Sequence, residues 1–250
     1  MLSCEKENRR EEDTDAEQVA NILTHAIPIL PSVWGVWRML DAAPAGLHFG
    51  ICLIYGLFIP TLFTCSSAHH LAALFHYKLP KTVSSFLFHC DRAVIFLFIA
   101  ASYTPWFMLR VRGDTGIHLT WSIWLVAVAG VVYTVLFCQK YPQFEVPFYV
   151  VLGVGPAPAA IAASDAWRGF DLLLLGGIAY IFGLLFYHST GVIPFAHAIW
   201  HCHTTLGVVL HYFAVYTRLQ LTSQYDGNIE VELSKHPNTD SILTPADYCG

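Results

Sequence analysis

Seven apolar runs, each about long enough to cross a bilayer, limit what this chain can become. They cover about residues 17–38, 47–75, 84–109, 117–137, 144–163, 170–187 and 195–218. A hydrocarbon core about 30 Å thick takes roughly 20 apolar residues as a helix. Within lipid every backbone N–H and C=O must find a partner inside the segment or a closed barrel. Of the 250 residues, 55% are hydrophobic and only 12% charged, about half the charged share of a soluble domain. The fold class that follows is an all-α integral membrane protein, a seven-transmembrane-helix bundle.

Charge is concentrated at the ends, and at both ends it is net acidic. Residues 1–20 hold seven acids and three bases, and residues 220–250 hold five acids and one base. Such composition, poor in apolar side chains, predicts disordered acidic tails at 1–16 and 220–250, around one transmembrane domain at 17–219. The charged first twenty residues are in the wrong order for a cleavable signal, so the first apolar run is expected to be an uncleaved anchor. An acidic chain without a basic stripe excludes nucleic acid as a partner class. The seven cysteines (4, 52, 65, 90, 138, 202 and 249) form no CxxC pair and no disulfide framework.

The last apolar run carries the chemistry. His197 and His201 stand four residues apart among Ala, Ile, Trp, Leu and Val, a spacing that puts both imidazoles on one helix face. Ionisable groups in such a setting cost free energy and point to function. Seven crossings bring the start of helix one, the end of helix two, the start of helix three and the start of helix seven to one membrane face. His70, Asp91, His197 and His201 are then co-facial, with Glu17, Asn21 and His25 beside them. A single membrane histidine is more often a packing residue. Three imidazoles and a carboxylate at one face instead match a catalytic zinc site, which takes three protein ligands and leaves a position for water.

The ligands are assigned to His70, His197 and His201. Asp91 would hold or deprotonate the water, and Ser66, one turn before His70, would hydrogen-bond the water or a substrate carbonyl. His69 and His76 compete with His70 as the ligand from helix two. His203 faces elsewhere on its helix, and His211, roughly 21 Å along the axis from His197, is read as a packing residue. Cys65, Cys90 and Cys202 each neighbour a better candidate and therefore point away. Glu17, Asn21 and His25 are read as capping and tying down helix one. The run Ser102-Tyr103-Thr104-Pro105-Trp106 is read as an interfacial anchor with a proline bend.

These motifs together resemble the progestin and adipoQ receptor (PAQR) family, related to the hemolysin III-like proteins. The carrying residues are Glu17, Asn21, Thr24 and His25; Ser66 and His70; Asp91 with Ser102, Tyr103, Pro105 and Trp106; and His197 with His201. The branch most resembled is that of the monocyte-to-macrophage differentiation factors, through Cys90-Asp91-Arg92 and residues 98–106 and 193–201. The resemblance implies seven helices, a cytosolic N-terminus, and Zn2+ held near the cytosolic side by His70, His197 and His201, with Asp91 and Ser66 near the bound water. It also implies a Golgi or endolysosomal membrane, with the plasma membrane as the alternative, and a signalling role. Some members resemble lipid amidases acting on ceramides. One departure is His69, where the family usually has an aromatic residue.

Two functions from different classes follow. The first is a zinc-dependent hydrolase of a lipid amide such as ceramide, with the lipid entering sideways from the membrane. The second is a non-catalytic signalling, scaffold or receptor protein whose zinc only staples helices together. A lipid-sized cavity reaching the metal would favour the first.

Overall fold

The computed structural model describes residues 14–75, 78–111, 113–162 and 170–235. The helices, in chain order, are α1 (Asp15–Ala42), α2 (Leu47–Leu74), α3 (Lys81–Arg110), α4 (Asp114–Leu136), α5 (Glu145–Val154), α6 (Ala157–Ala162), α7 (Phe170–His188) and α8 (Ala196–Lys235). A 3-10 turn, Pro142–Phe144, leads into α5. Among the described residues, α1, α2, α3, α4 and the Asp171–His188 part of α7 are long and apolar enough to cross a membrane, five in all. With the family membership given below, this makes the chain an all-helical, multi-pass membrane protein.

Several boundaries differ from expectation for local reasons. Helix α1 starts at Asp15, where Thr14 and Glu17 form a capping box. It satisfies orphan N–H groups that the acidic composition of the tail does not advertise. The expected fifth helix over 144–163 is two helices, because Pro156 has no N–H to donate and follows Gly155. The polar run 164–168 that follows lies outside the described residues. Helix α8 continues to Lys235, past the boundary expected at 219. No proline interrupts it between Pro194 and Pro237, so the change in polarity does not stop the helix. Residues 1–13 and 236–250, assigned to the tails, lie outside the described residues, as does His76.

Chain neighbours pack side by side: α1 on α2, α2 on α3, α3 on α4, and α7 on α8. Helix α1 also packs on α8, closing the ring on that side. Helix α5 meets α3 and α4, and touches α7 over only a short stretch. Two cores result. One joins Met39, Tyr55, Phe63, Phe98 and Val208, and the other joins Phe96, Phe107, Ile123 and Tyr149. Small residues set the α7–α8 spacing. A Cβ on Gly207 would lie 2.5 Å from Tyr180 Cζ, and one on Gly183 would lie 2.6 Å from Trp200 Cε3. Of the adjacent glycines Gly176 and Gly177, only Gly176 faces α8; Gly177 faces open space.

The run from Ser102 to Trp106 is a correction. It lies inside α3, and Thr104, Pro105 and Trp106 are buried. Tyr103 donates to the Gly153 carbonyl at 2.6 Å, and Trp124 Nε1 donates to Thr104 Oγ1 at 3.1 Å. These residues fasten α4 and α5 to α3. Aromatic content alone does not separate such packing from an interfacial belt.

Candidate metal centre

The loop between α7 and α8 delivers two histidines to the end of α2. Phe195, at φ 58°, turns the chain into α8, and its N–H donates to Glu17 Oε1 at 3.0 Å. The other Glu17 oxygen, Oε2, accepts from the Thr14 N–H at 2.9 Å. One carboxylate therefore caps α1 and holds the start of α8 against it. His197 and His201 lie in the first and second turns of α8, and His70 comes from the last turn but one of α2.

The potential ligand atoms of His70, His197 and His201 all lie within 4.8 Å of one another. Ring centroids are 5.0 Å apart for His70–His197, 5.0 Å for His70–His201 and 4.6 Å for His197–His201. His70 is 4% and His201 2% exposed. His70 Nδ1 lies 3.0 Å from Gln18 Oε1, and His201 Nδ1 lies 3.2 Å from the Asn21 carbonyl oxygen. Nε2 of His70 is buried with no protein partner. His25 stacks on His201 at 3.8 Å and meets Phe63 edge-on at 5.3 Å.

A cavity of about 2130 Å³ opens onto this cluster, and its wall includes all three histidines, Ser66, Asp91 and Arg92. Ser66 is buried, and its hydroxyl has no protein partner. Asp91 is half-buried. Arg92 forms an ion pair with the buried Glu145, and its guanidinium sits 4.2 Å over the Phe88 ring.

The profile of the family described as haemolysin-III related matches residues 15–212. The chain belongs to the haemolysin-III related family. It is 37% identical over 212 residues to human monocyte to macrophage differentiation factor, covering 85% of this chain and 88% of that one. It is 32% identical over 207 residues to a hemolysin-3 homolog of Bacillus subtilis, covering 81% and 94%. A hemolysin-3 of Bacillus cereus is 28% identical over 204 residues, covering 80% and 90%. The motifs that carried the resemblance in the sequence lie within the matched span.

In this haemolysin-III related protein, the geometry sorts the competing histidines. His69 turns towards Phe88, with ring centroids 5.7 Å apart, and does not join the three-His cluster. His203 Nδ1 lies 2.9 Å from the Ile199 carbonyl on its own helix, and its ring stacks on Phe186. His211 Nε2 lies 3.0 Å from the Leu173 carbonyl, so His211 packs α8 on α7. No cysteine joins the cluster among the described residues. Two residues escaped the sequence reading. Gln18 sits on the inward face of α1, the face already marked by Asn21, Thr24 and His25 at helical spacing. Glu145, the partner of Arg92, comes from 53 residues further on, a separation no local pattern reveals.

The donor set fits a metal. Imidazole suits zinc, and a tetrahedral ion takes its nitrogens at about 2.0–2.1 Å. The unpartnered Nε2 of His70 is the kind of buried atom such an ion would satisfy.

Proposed function

We propose that this protein is a zinc-dependent amide hydrolase of membrane lipids, of the ceramide type, with a signalling role through its product. The carrying observation is the cavity that reaches the three-His cluster with Ser66 and Asp91 in its wall. Volumes for small-molecule sites run to about 1,000 Å³, so this space is large enough for a long-chain lipid. In this reading the α5–α6 pair and α8 add to the five apolar spans to make seven crossings. The N-terminus is cytosolic, and the membrane is that of the Golgi or the endolysosomal system. The sparse contact between α5 and α7 is the side door for lipid.

His70, His197 and His201 would hold the ion. Zinc bound there supplies a Lewis acid and a water acidified towards a pKa of about 7. Asp91 accepts the proton of the attacking water and returns it to the departing amine. The Ser66 hydroxyl, which has no protein partner, donates to the substrate carbonyl. The apolar walls keep bulk water from the reacting group. The structural alternative, zinc as a closed staple between α2 and α8, would bind metal and turn nothing over.

Two measurements decide. Elemental analysis of the purified detergent-solubilised protein should find close to one zinc per chain, absent from a His197→Ala/His201→Ala variant. The protein should hydrolyse ceramide, and His197→Ala should abolish turnover. Turnover that survives His197→Ala would end the catalytic reading, and zinc binding without turnover would leave the staple.

A further inference from the structure

The three donors lie on α2 and α8, yet two of them lean on α1. His70 Nδ1 is 3.0 Å from Gln18 Oε1. His201 Nδ1 is 3.2 Å from the Asn21 carbonyl and 3.1 Å from Thr24 Oγ1. A neutral imidazole has one N–H and one lone pair, and what faces one nitrogen determines the role of the other. The Asn21 carbonyl can only accept, so His201 keeps its proton on Nδ1 and its lone pair on Nε2. The Gln18 amide oxygen imposes the same tautomer on His70, whose Nε2 is the buried atom without a protein partner. Gln18 is itself 8% exposed. It sits immediately after Glu17, which links the capping box of α1 to the Phe195 N–H. Gln18 thus stands where α1 is tied both to its own cap and to α8.

We propose that Gln18 is a positioning residue for the metal: by accepting the Nδ1–H of His70 it presents Nε2 to the ion, and α1 becomes the orienting element of a centre whose ligands all lie on other helices. This role rests on the zinc reading above and adds to it a residue that touches neither ion nor substrate. Outer partners of this kind typically change metal affinity by about 10–100-fold when removed.

The test uses the full chain and zinc alone, by competition with a chelator. Gln18→Met keeps length and helix propensity but removes the acceptor; it should weaken zinc by about 10–100-fold. With cobalt in place of zinc, its visible absorption should differ from wild type at saturation. Gln18→Glu keeps the acceptor and should restore affinity to within about threefold of wild type, since a carboxylate acceptor raises ligand basicity. A Gln18→Met protein with wild-type affinity and spectrum would overturn the role. So would Gln18→Glu binding as weakly as Gln18→Met, because the amide would then act as donor. A measurement free of any folding defect uses the unsubstituted protein: nitrogen NMR of isotope-labelled histidine should show His70 protonated on Nδ1, and protonation on Nε2 before metal is added would overturn the proposal. Wild type that takes up no zinc would remove the centre together with this role. Normal wild-type binding with unaffected Gln18→Met would remove the role alone.

Discussion

Some of the polar side chains inside this bundle are tied to one another. The ion pair of Arg92 with Glu145 is the strongest example among the described residues. The Glu145 side chain is 3% and the Arg92 side chain 25% exposed. The Tyr149 hydroxyl lies 3.1 Å from Glu145 Oε1 and 2.9 Å from the Arg92 carbonyl. Removing one partner of a buried pair leaves a charge with its desolvation cost uncompensated, on the order of 3–5 kcal/mol. Glu145→Gln should therefore lower stability towards the small end of that range, since Arg92 keeps some access to the cavity. Thermal unfolding in detergent would show it, and adding Arg92→Leu should recover part of the loss. An unchanged unfolding temperature would mean that Arg92 finds another partner. At this scale the sequence was informative about residue type and silent about pairing. His70, His197 and His201 stood out because imidazoles are scarce in apolar runs. Glu145 fell inside the expected helix over 144–163 with nothing to mark it, because its partner lies 53 residues away.

At the scale of elements, helix ends followed caps and prolines, and helix contacts followed small residues. The α7–α8 pair shows how much depends on missing side chains. Tyr180 lies against Gly207, and Trp200 against Gly183. Gly207→Leu would push Tyr180 out of place and cost about 1–3 kcal/mol by overpacking. Through α8 it would also disturb the register of His197 and His201. The expected outcome is a lower unfolding temperature together with weaker zinc binding. Wild-type values for both would show that α7 does not set the position of α8. Glycine and alanine in an apolar run signal close packing in general, as the adjacent Gly176 and Gly177 do. Which of the two faces a neighbour depends on helix rotation, and rotation is set by the whole interface.

For the whole molecule, alternation of spans placed residues from four distant segments at one face. The structure brings those segments together: Glu17 bonds to Phe195, His201 to the backbone of Asn21, and His70 to Gln18. The proposed seven crossings carry a testable consequence. A glycosylation acceptor inserted in the turn at 43–46 should be modified in microsomes, and one inserted at 138–141 should not. Modification of the second site alone would place the N-terminus on the opposite side. Sequence by itself determined the membrane class, the helical content, the family, and the histidines worth watching, because hydrophobic length and residue scarcity are local properties of a chain. Only the tertiary structure decided that His70 rather than His69 faces the pair on α8, that Gln18 stands behind it, and that a cavity reaches all three histidines. Those facts depend on how helices rotate and separate, and that is fixed by contacts between residues far apart in the chain.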